Sequence, residues 1–180
     1  IQAGVEILDH MFNRSDLPTI NRGERDILES WYFAIMAYNG IKPVNSPIVQ
    51  GSGERNTDAY QEKIIKKIED YGLLKLQVLP FEEDDFNYDS ESRDNIEFVT
   101  KNYHFTLPLT KSKHAFNKGE EVVTTTATRL RTSPTTDSTH VNLAKGEVLT
   151  IEGPFKYEEN NPKNHFVWYP VERSNGETGY

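Results

Sequence analysis

Residues 128–138 read TRLRTSPTTDS, a strand-forming run that leads directly into a turn. From about Lys118 onward the chain carries further short runs of β-branched and aromatic residues, at 122–128, 141–143, 148–151 and 166–171. Pairs that favour turns separate these runs, namely Lys145-Gly146, Gly153-Pro154, Asn161-Pro162 and Asn175-Gly176. Several short strands with regular turns predict a β-sandwich or a small β-barrel over residues 118–180.

Four pieces of this segment resemble the bacterial SH3 family, whose members are small β-barrels that bind the cell wall. TRLRTSPTTDS resembles the first strand and turn of the family, and the Lys-Gly-Glu-Val run at 145–148 follows at a compatible distance. Trp168-Tyr169-Pro170-Val171 resembles the family's Trp-Tyr-Lys-Val strand, and residues 176–180 resemble its Gly-Lys-Thr-Gly-Trp hairpin. The resemblance implies an SH3-like β-barrel as the C-terminal domain.

The segment departs from the family pattern at three places. Ser133 stands where a glycine is common before Pro134, and residues 154–165 are longer and more polar than usual. The sequence also ends at Tyr180, where the family normally continues into a last strand. Because an unpaired strand edge tends to pair with other chains, we expect either a continuation or an upstream strand at that edge.

The resemblance implies binding of peptidoglycan glycan strands or stem peptides in a shallow groove lined by aromatic side chains. The aromatic candidates are Tyr157, Trp168, Tyr169 and Tyr180. Trp168 is either a core residue, the slightly favoured interpretation, or a ligand contact. Arg131 either orders the turn that follows it, again slightly favoured, or meets a carboxylate of a stem peptide.

Residues 1–72 have the periodicity of a helical lobe. Apolar residues at steps of three and four place one face on a first helix, formed by Ile1, Val5, Leu8 and Met11. A second helix is predicted from about Arg25 to Tyr38 and is ended by Asn39-Gly40. A third begins near Thr57 and stops at Gly72.

The run Ala37-Tyr38-Asn39-Gly40 resembles the Ala-Tyr-Asn-x-Gly signature of lytic transglycosylases and goose-type lysozymes. Residues 3–8 resemble the preceding helix of that family, and residues 56–60 resemble the start of its last helix. The resemblance implies that Tyr38 points toward the catalytic acid and that Asn39 helps to hold the loop and the substrate. The alternative is that Tyr38 is a core tyrosine at a helix end.

The catalytic glutamate of that family has no counterpart in this chain, and neither has the Gly-Leu-Met-Gln-like segment that follows it. Glu29 precedes Tyr38 on the same predicted helix, so it is not expected to face Tyr38 across a cleft. Cleavage of a glycan needs a protonated carboxylic acid at the glycosidic oxygen. We therefore expect no catalytic residue in this chain and a catalytic half upstream of Ile1, where the sequence starts without Met or a signal pattern.

Residues 73–117 are predicted to be an acidic connector with one or two short strands. Between Glu82 and Glu97 there are eight acidic residues and one basic residue, Arg93, which is typical of a solvated loop. A calcium site is the alternative, because hard cations prefer carboxylate oxygens, but the spacing does not fit an EF-hand loop.

Composition narrows the remaining possibilities. The net charge of -8 argues against nucleic acid as a partner, and the absence of cysteine excludes disulfides and thiol chemistry. No apolar run is long enough for a membrane span. The five histidines are scattered, so no metal site and no cofactor are predicted. The oligomeric state stays open.

Together these features predict an α+β chain of two domains, a lysozyme-like helical lobe and an SH3-like barrel. The predicted function is peptidoglycan binding as part of a secreted, extracellular cell-wall hydrolase of the lytic transglycosylase or lysozyme-like type. One alternative is a non-catalytic cell-wall or peptide-binding scaffold. Another is a barrel that serves a different wall enzyme, such as an amidase or a peptidase.

Overall fold

The computed structural model describes residues 1–72, 74–106, 108–158, 160 and 166–180. The chain forms two compact units, Ile1–Lys111 and Ser112–Tyr180. Helices and strands both contribute, which confirms the predicted mixed α+β class. The predicted turn at Asn161-Pro162 lies outside the described residues. The same holds for residues 159 and 161–165 of the long polar stretch at 154–165.

The first unit contains three α-helices in the order that the sequence predicts. They are α1 (Gln2–Phe12), α2 (Tyr32–Asn39) and α3 (Tyr60–Gly72). Three short 3-10 turns accompany them, at Leu28–Trp31, Pro43–Asn45 and Glu83–Asp85. Helix α2 is the centre of this unit, because every residue from Tyr32 to Ala37 is buried. A helix that is apolar on all sides is typical of such a position.

The second helix is shorter than its predicted range from Arg25 to Tyr38. Ile27 has an extended backbone and forms an isolated β-bridge with Lys111, so the helix cannot begin before that residue. The chain then passes through the 3-10 turn at Leu28–Trp31 before it enters α2.

Two small strand pairs complete the first unit. Strand β1 (Thr19–Ile20) runs parallel to β4 (Asn102–Tyr103), and β2 (Phe86–Asn87) runs antiparallel to β3 (Glu97–Phe98). These strands are only two residues long, so their role is to fix loops against α2 rather than to form an extended sheet.

Residues 73–111 belong to the first unit. The sequence analysis had predicted that residues 73–117 form a connector between the two domains. The reason for the difference is a set of buried apolar side chains spaced between the acids: Leu76, Leu79, Phe81, Phe86, Ile96, Phe98 and Tyr103. Their rings pack on α2, with Phe33 between 5.4 and 5.7 Å from the rings of Phe81, Phe98 and Tyr103.

The acidic side chains of this segment serve local structure. Glu82 and Asp85 form a reciprocal capping box around the 3-10 turn Glu83–Asp85. Asp85 also accepts a hydrogen bond from the Thr100 hydroxyl at 2.6 Å. Within the described ranges, no group of three or more His, Cys, Asp or Glu side chains is positioned to hold a metal ion.

A polar network links α2 to α3. The Tyr32 hydroxyl donates to Glu62 Oε1 at 2.6 Å, and Arg55 Nη2 donates to the same oxygen at 2.7 Å. Arg55 Nη1 donates in addition to the carbonyl of Leu79 at 2.9 Å. Burial and the Glu62 charge hold the pKa of Tyr32 well above its usual value.

The described residues of the second unit form eight short strands. They are β5 (Glu121–Val123), β6 (Thr128–Arg131), β7 (His140–Leu143), β8 (Val148–Ile151), β9 (Lys156–Tyr157), β10 (Val167–Trp168), β11 (Val171–Arg173) and β12 (Thr178–Gly179). An antiparallel sheet has the order β12-β11-β8-β5, while β6–β7 and β9–β10 form two separate hairpins. The described strands do not close a barrel.

The end of the sheet beside β12 is occupied by β6. Arg131 and Tyr180 exchange both backbone hydrogen bonds, at 3.0 and 2.8 Å, so the β6–β7 hairpin continues the sheet at this edge. The upstream strand β5 pairs with β8 instead, at the opposite edge. The core of the unit lies under these strands and consists of Leu130, Leu143, Leu149, Ile151, Tyr169 and Val171.

The contact between β6 and β12 requires a glycine. A Cβ atom on Gly179 would lie 2.6 Å from the Arg131 carbonyl oxygen and 2.7 Å from Leu130 Cγ. We predict that Gly179→Ala lowers the stability of the second unit by about 1–3 kcal/mol, because overpacking forces the strands apart. Calorimetric unfolding should show a Tm lower by roughly 4 °C or more. The control is Thr178→Ala at the exposed neighbouring position; equal Tm values for the two variants would contradict the prediction.

Alkaline pH should destabilise the first unit through Tyr32. The pKa of Tyr32 is higher in the folded chain than in the unfolded chain, so the folded state keeps the proton longer and stability falls as pH rises above about 10. Tyr32→Phe removes this titration but also the hydrogen bond to Glu62. We expect it to be less stable at neutral pH and to lose less stability between about pH 9 and about pH 11.

Denaturant unfolding at several pH values measures this difference. Tyr71→Phe is the matched control, because Tyr71 is 73% exposed. A parallel loss of stability in wild type and Tyr32→Phe across the alkaline range would show that Tyr32 does not carry the effect.

Candidate functional site

The second unit has a groove of about 660 Å³ between the β6–β7 hairpin and β10. We call it the Arg–Trp groove, and its lining consists of Ala127, Thr128, Arg129, Arg131, Thr136, Asn142, Leu143, Phe166 and Trp168. Among the described residues that line it, two side chains are cationic, two are aromatic and none is acidic. Such a surface can bind an apolar group and a polar or negatively charged group side by side.

The pairing of β6 with β7 determines which side chains reach the Arg–Trp groove. Arg129 lies opposite Asn142, and Arg131 lies opposite His140. Because side chains alternate along a strand, Arg129 and Arg131 project from one face of β6, while Leu130 between them is buried in the core.

Arg131 orders the turn that follows it, which is the interpretation that the sequence slightly favoured, while a contact with a stem-peptide carboxylate stays a prediction. Its Nη1 donates to the carbonyl of Ser138 at 2.9 Å, which ties the end of β6 to the far side of the following turn. The same side chain lines the Arg–Trp groove. It is only 8% exposed, so its position is fixed by the fold.

Trp168 lies on β10 and is half-buried in the wall of the Arg–Trp groove. Its direct cross-strand partner is Lys156 on β9. Its indole Nε1 is buried and has no hydrogen-bond partner among the described residues. Trp168 is therefore outside the buried core cluster of this unit and lines the groove, while its contact with a ligand stays a prediction.

The other three aromatic candidates lie outside the Arg–Trp groove. Tyr169 belongs to the core, where its hydroxyl accepts a hydrogen bond from the Phe116 backbone N–H at 3.3 Å. Tyr157 is exposed and packs edge-on against Phe155. Tyr180 accepts a hydrogen bond from Lys156 Nζ at 3.1 Å.

Three groove residues were missed by the sequence analysis: Arg129, Asn142 and Phe166. The signal for Arg129 was its position two residues before Arg131 on a predicted strand, which puts both on the same face. Asn142 could be found only from the pairing register of β6 with β7.

In the first unit, Tyr38 lines a separate apolar groove of about 270 Å³, which we call the Tyr38 groove. Its other walls come from the three helices, through Ile1, Gly4, Val5, Leu8, Ile35, Tyr60 and Ile64. Tyr38 is 43% exposed, so it is not the core tyrosine of the alternative interpretation. Gly4 lies beside the Tyr38 hydroxyl, which would be 3.4 Å from a Cβ at this position.

Asn39 takes part in the loop that follows α2. Its Oδ1 accepts a hydrogen bond from Asn45 Nδ2 at 3.2 Å. Asn45 Nδ2 also donates to the carbonyl of Gly40 at 2.7 Å. Asn45 Oδ1 in turn accepts the backbone N–H of Tyr60 at the start of α3. Asn39 thus helps to hold the connection between α2 and α3, which is a loop-holding role of the kind that the resemblance implies.

Glu29 is a structural tie. It is 1% exposed, and its two oxygens accept hydrogen bonds at 2.8 Å from the Gln77 N–H, the Thr110 N–H and the Thr110 hydroxyl. It lines a polar cleft of about 660 Å³ with Tyr32 and Glu62, and that cleft does not include Tyr38. With three donors on its carboxylate, Glu29 joins three segments of the first unit and has no free oxygen directed at a ligand.

No family model, no curated protein and no solved structure matches this chain. Among the helices of the described residues, none combines the length and the apolar character that crossing a membrane requires.

We predict that Glu29→Gln destabilises the first unit by about 1–3 kcal/mol, because an amide must turn one N–H toward a backbone donor. Chemical denaturation of this variant beside Glu54→Gln, which makes the same change at an exposed position, measures the loss. If both variants unfold at the same denaturant concentration as wild type, Glu29 is not the tie described here.

Proposed function

We propose that this chain binds peptidoglycan as part of an extracellular cell-wall protein of the lytic transglycosylase or lysozyme-like type, and that its second unit is an SH3-like wall-binding module. The observation that carries the proposal is the Arg–Trp groove. Arg131 and Trp168 come from two separate motifs of the SH3 resemblance, yet both line the same concavity.

The strand order of the second unit supports the SH3-like assignment. The motif pieces fall on β6, on the start of β8, on β10 and β11, and on β12. Strands β8, β11 and β12 are neighbours in one antiparallel sheet, and β6 joins its free side through the hydrogen bonds between Arg131 and Tyr180. Several short antiparallel strands with an edge covered in this way suit a small β-barrel.

The chemistry of the Arg–Trp groove suits a wall polymer. An indole face packs on apolar faces of sugars or side chains, and Asn142 and the two arginines supply hydrogen-bond donors beside it. Peptide and glycan ligands of small β domains use such mixtures of a flat aromatic surface and a few polar groups.

The first unit supports the lysozyme-like part of the proposal. Its three helices follow the order of the motif, and Tyr38 and Asn39 stand at the end of α2 with Tyr38 open to a groove. Since Glu29 is bound by three internal donors, this unit would contribute Tyr38 and Asn39 to a glycan site without an acid of its own. The chain by itself is then a binder that does not cleave.

Retention on purified peptidoglycan tests the proposal. We expect wild type to sediment with insoluble wall material and Trp168→Ala to bind about tenfold more weakly or worse, because an aromatic anchor at the centre of a groove dominates binding. Trp168→Phe keeps an aromatic ring in the wall of the groove and should retain intermediate binding.

Tyr71→Ala is the matched control, since it removes an exposed aromatic ring from the other unit. Each variant is checked for an unchanged unfolding transition before the comparison. Equal retention of wild type and Trp168→Ala, with both folded, would remove the Arg–Trp groove from wall binding. Failure of wild type to bind any wall preparation would remove the proposed function itself.

A further inference from the structure

The Arg–Trp groove is cationic in a chain whose net charge is -8. Its described lining holds Arg129 and Arg131 and no acidic side chain. Glu158 is a buried acid whose Oε1 accepts hydrogen bonds from Thr135 and from Thr136 of the turn after β6.

Neither groove arginine forms an ion pair with a carboxylate of the described residues. Four of the six other arginines do form one, namely Arg14, Arg25, Arg55 and Arg173, whereas Arg22 and Arg93 form none within the same residues. The Arg129 side chain is exposed and makes no hydrogen bond or ion pair within the described ranges. Arg131 uses only Nη1, on the Ser138 carbonyl, so within the same ranges its remaining N–H groups carry no hydrogen bond.

Guanidinium groups two residues apart on one strand face form a short row of planar donors. Such donors match the two oxygens of a carboxylate, to which arginine binds through paired hydrogen bonds. Trp168 lines the same groove and offers an apolar face beside the charged row. The combination fits a ligand that carries a carboxylate next to an apolar side chain, and neutral sugar rings would leave the arginines without a partner.

We propose that the Arg–Trp groove recognises a free carboxylate of a wall stem peptide rather than the glycan strand. Arg129 binds the carboxylate, Trp168 contacts the adjacent aliphatic part, and Arg131 is a positioning residue that the Ser138 carbonyl holds in place. This inference rests on the proposed function, because it names the part of peptidoglycan that the same groove takes.

Calorimetric titration of the full chain with three soluble probes tests the inference. The probes are the tetrapeptide Ala-γGlu-Lys-Ala with free carboxylates, the same peptide with its carboxylates amidated, and inorganic phosphate. We expect the free peptide to bind, and amidation to weaken binding by about tenfold or more, since a hydrogen bond to a charged group is the stronger kind.

Arg129→Gln should cause a similar loss with the free peptide and almost no further loss with the amidated one. This non-additivity marks a direct contact between Arg129 and the carboxylate. The matched control is Lys145→Gln, which removes one positive charge from an exposed turn of the same unit and should leave the affinity within about twofold of wild type. Rising salt should weaken wild type more than Arg129→Gln.

The outcomes separate the inference from the proposed function. The chain could sediment with peptidoglycan while peptide amidation and Arg129→Gln leave the binding affinity unchanged. The groove would then bind the glycan strand, and the inference would be overturned although wall binding stands. Binding of phosphate as tight as that of the free peptide would assign the groove to phosphate-bearing polymers and overturn it as well. Absence of binding to both wall material and peptide would end the proposed function.

Discussion

The second unit depends on the close approach of β6 to the end of β12. Two backbone hydrogen bonds between Arg131 and Tyr180 make this contact, and Gly179 permits it because no side chain can occupy the space beside the Arg131 carbonyl. The approach joins the β6–β7 hairpin to the four-stranded sheet. It thereby sets the face of β6 that carries Arg129 and Arg131 and gives the Arg–Trp groove one of its walls.

The first unit is organised around the buried helix α2. The sequence predicted the helices of this unit better than it predicted where the unit ends. Helical periodicity identified all three helices because each has apolar residues at steps of three and four. Residues 73–111 were assigned to a connector on the strength of their acids. Their aromatic residues, widely spaced and without a repeating period, supply four of the six buried aromatic side chains of the core around Phe33. The sequence analysis gave weight to the density of acidic residues. It missed the aromatic residues because only the folded structure shows that they pack together.

The candidate site was predictable in part. The motifs supplied Arg131 and Trp168, but they could not separate Trp168 from Tyr169, since neighbouring residues near a strand face opposite directions and either could have been the core residue. The structure places Tyr169 in the core and Trp168 at the groove. Arg129 and Asn142 belong to the site through the register of β6 with β7, which depends on the whole hairpin and leaves little trace in a single sequence.

The unequal embedding of the two groove arginines has a consequence for how such a module can diversify. Arg131 is tied to the turn and lies on the strand that holds the unit together, so replacing it would disturb folding and binding at once. The exposed Arg129 side chain makes no hydrogen bond or ion pair with the described residues. If the groove binds a wall polymer as proposed, substitutions at this one position would change ligand preference with little penalty to the scaffold, which would make it the natural point of adaptation when the chemistry of that polymer varies.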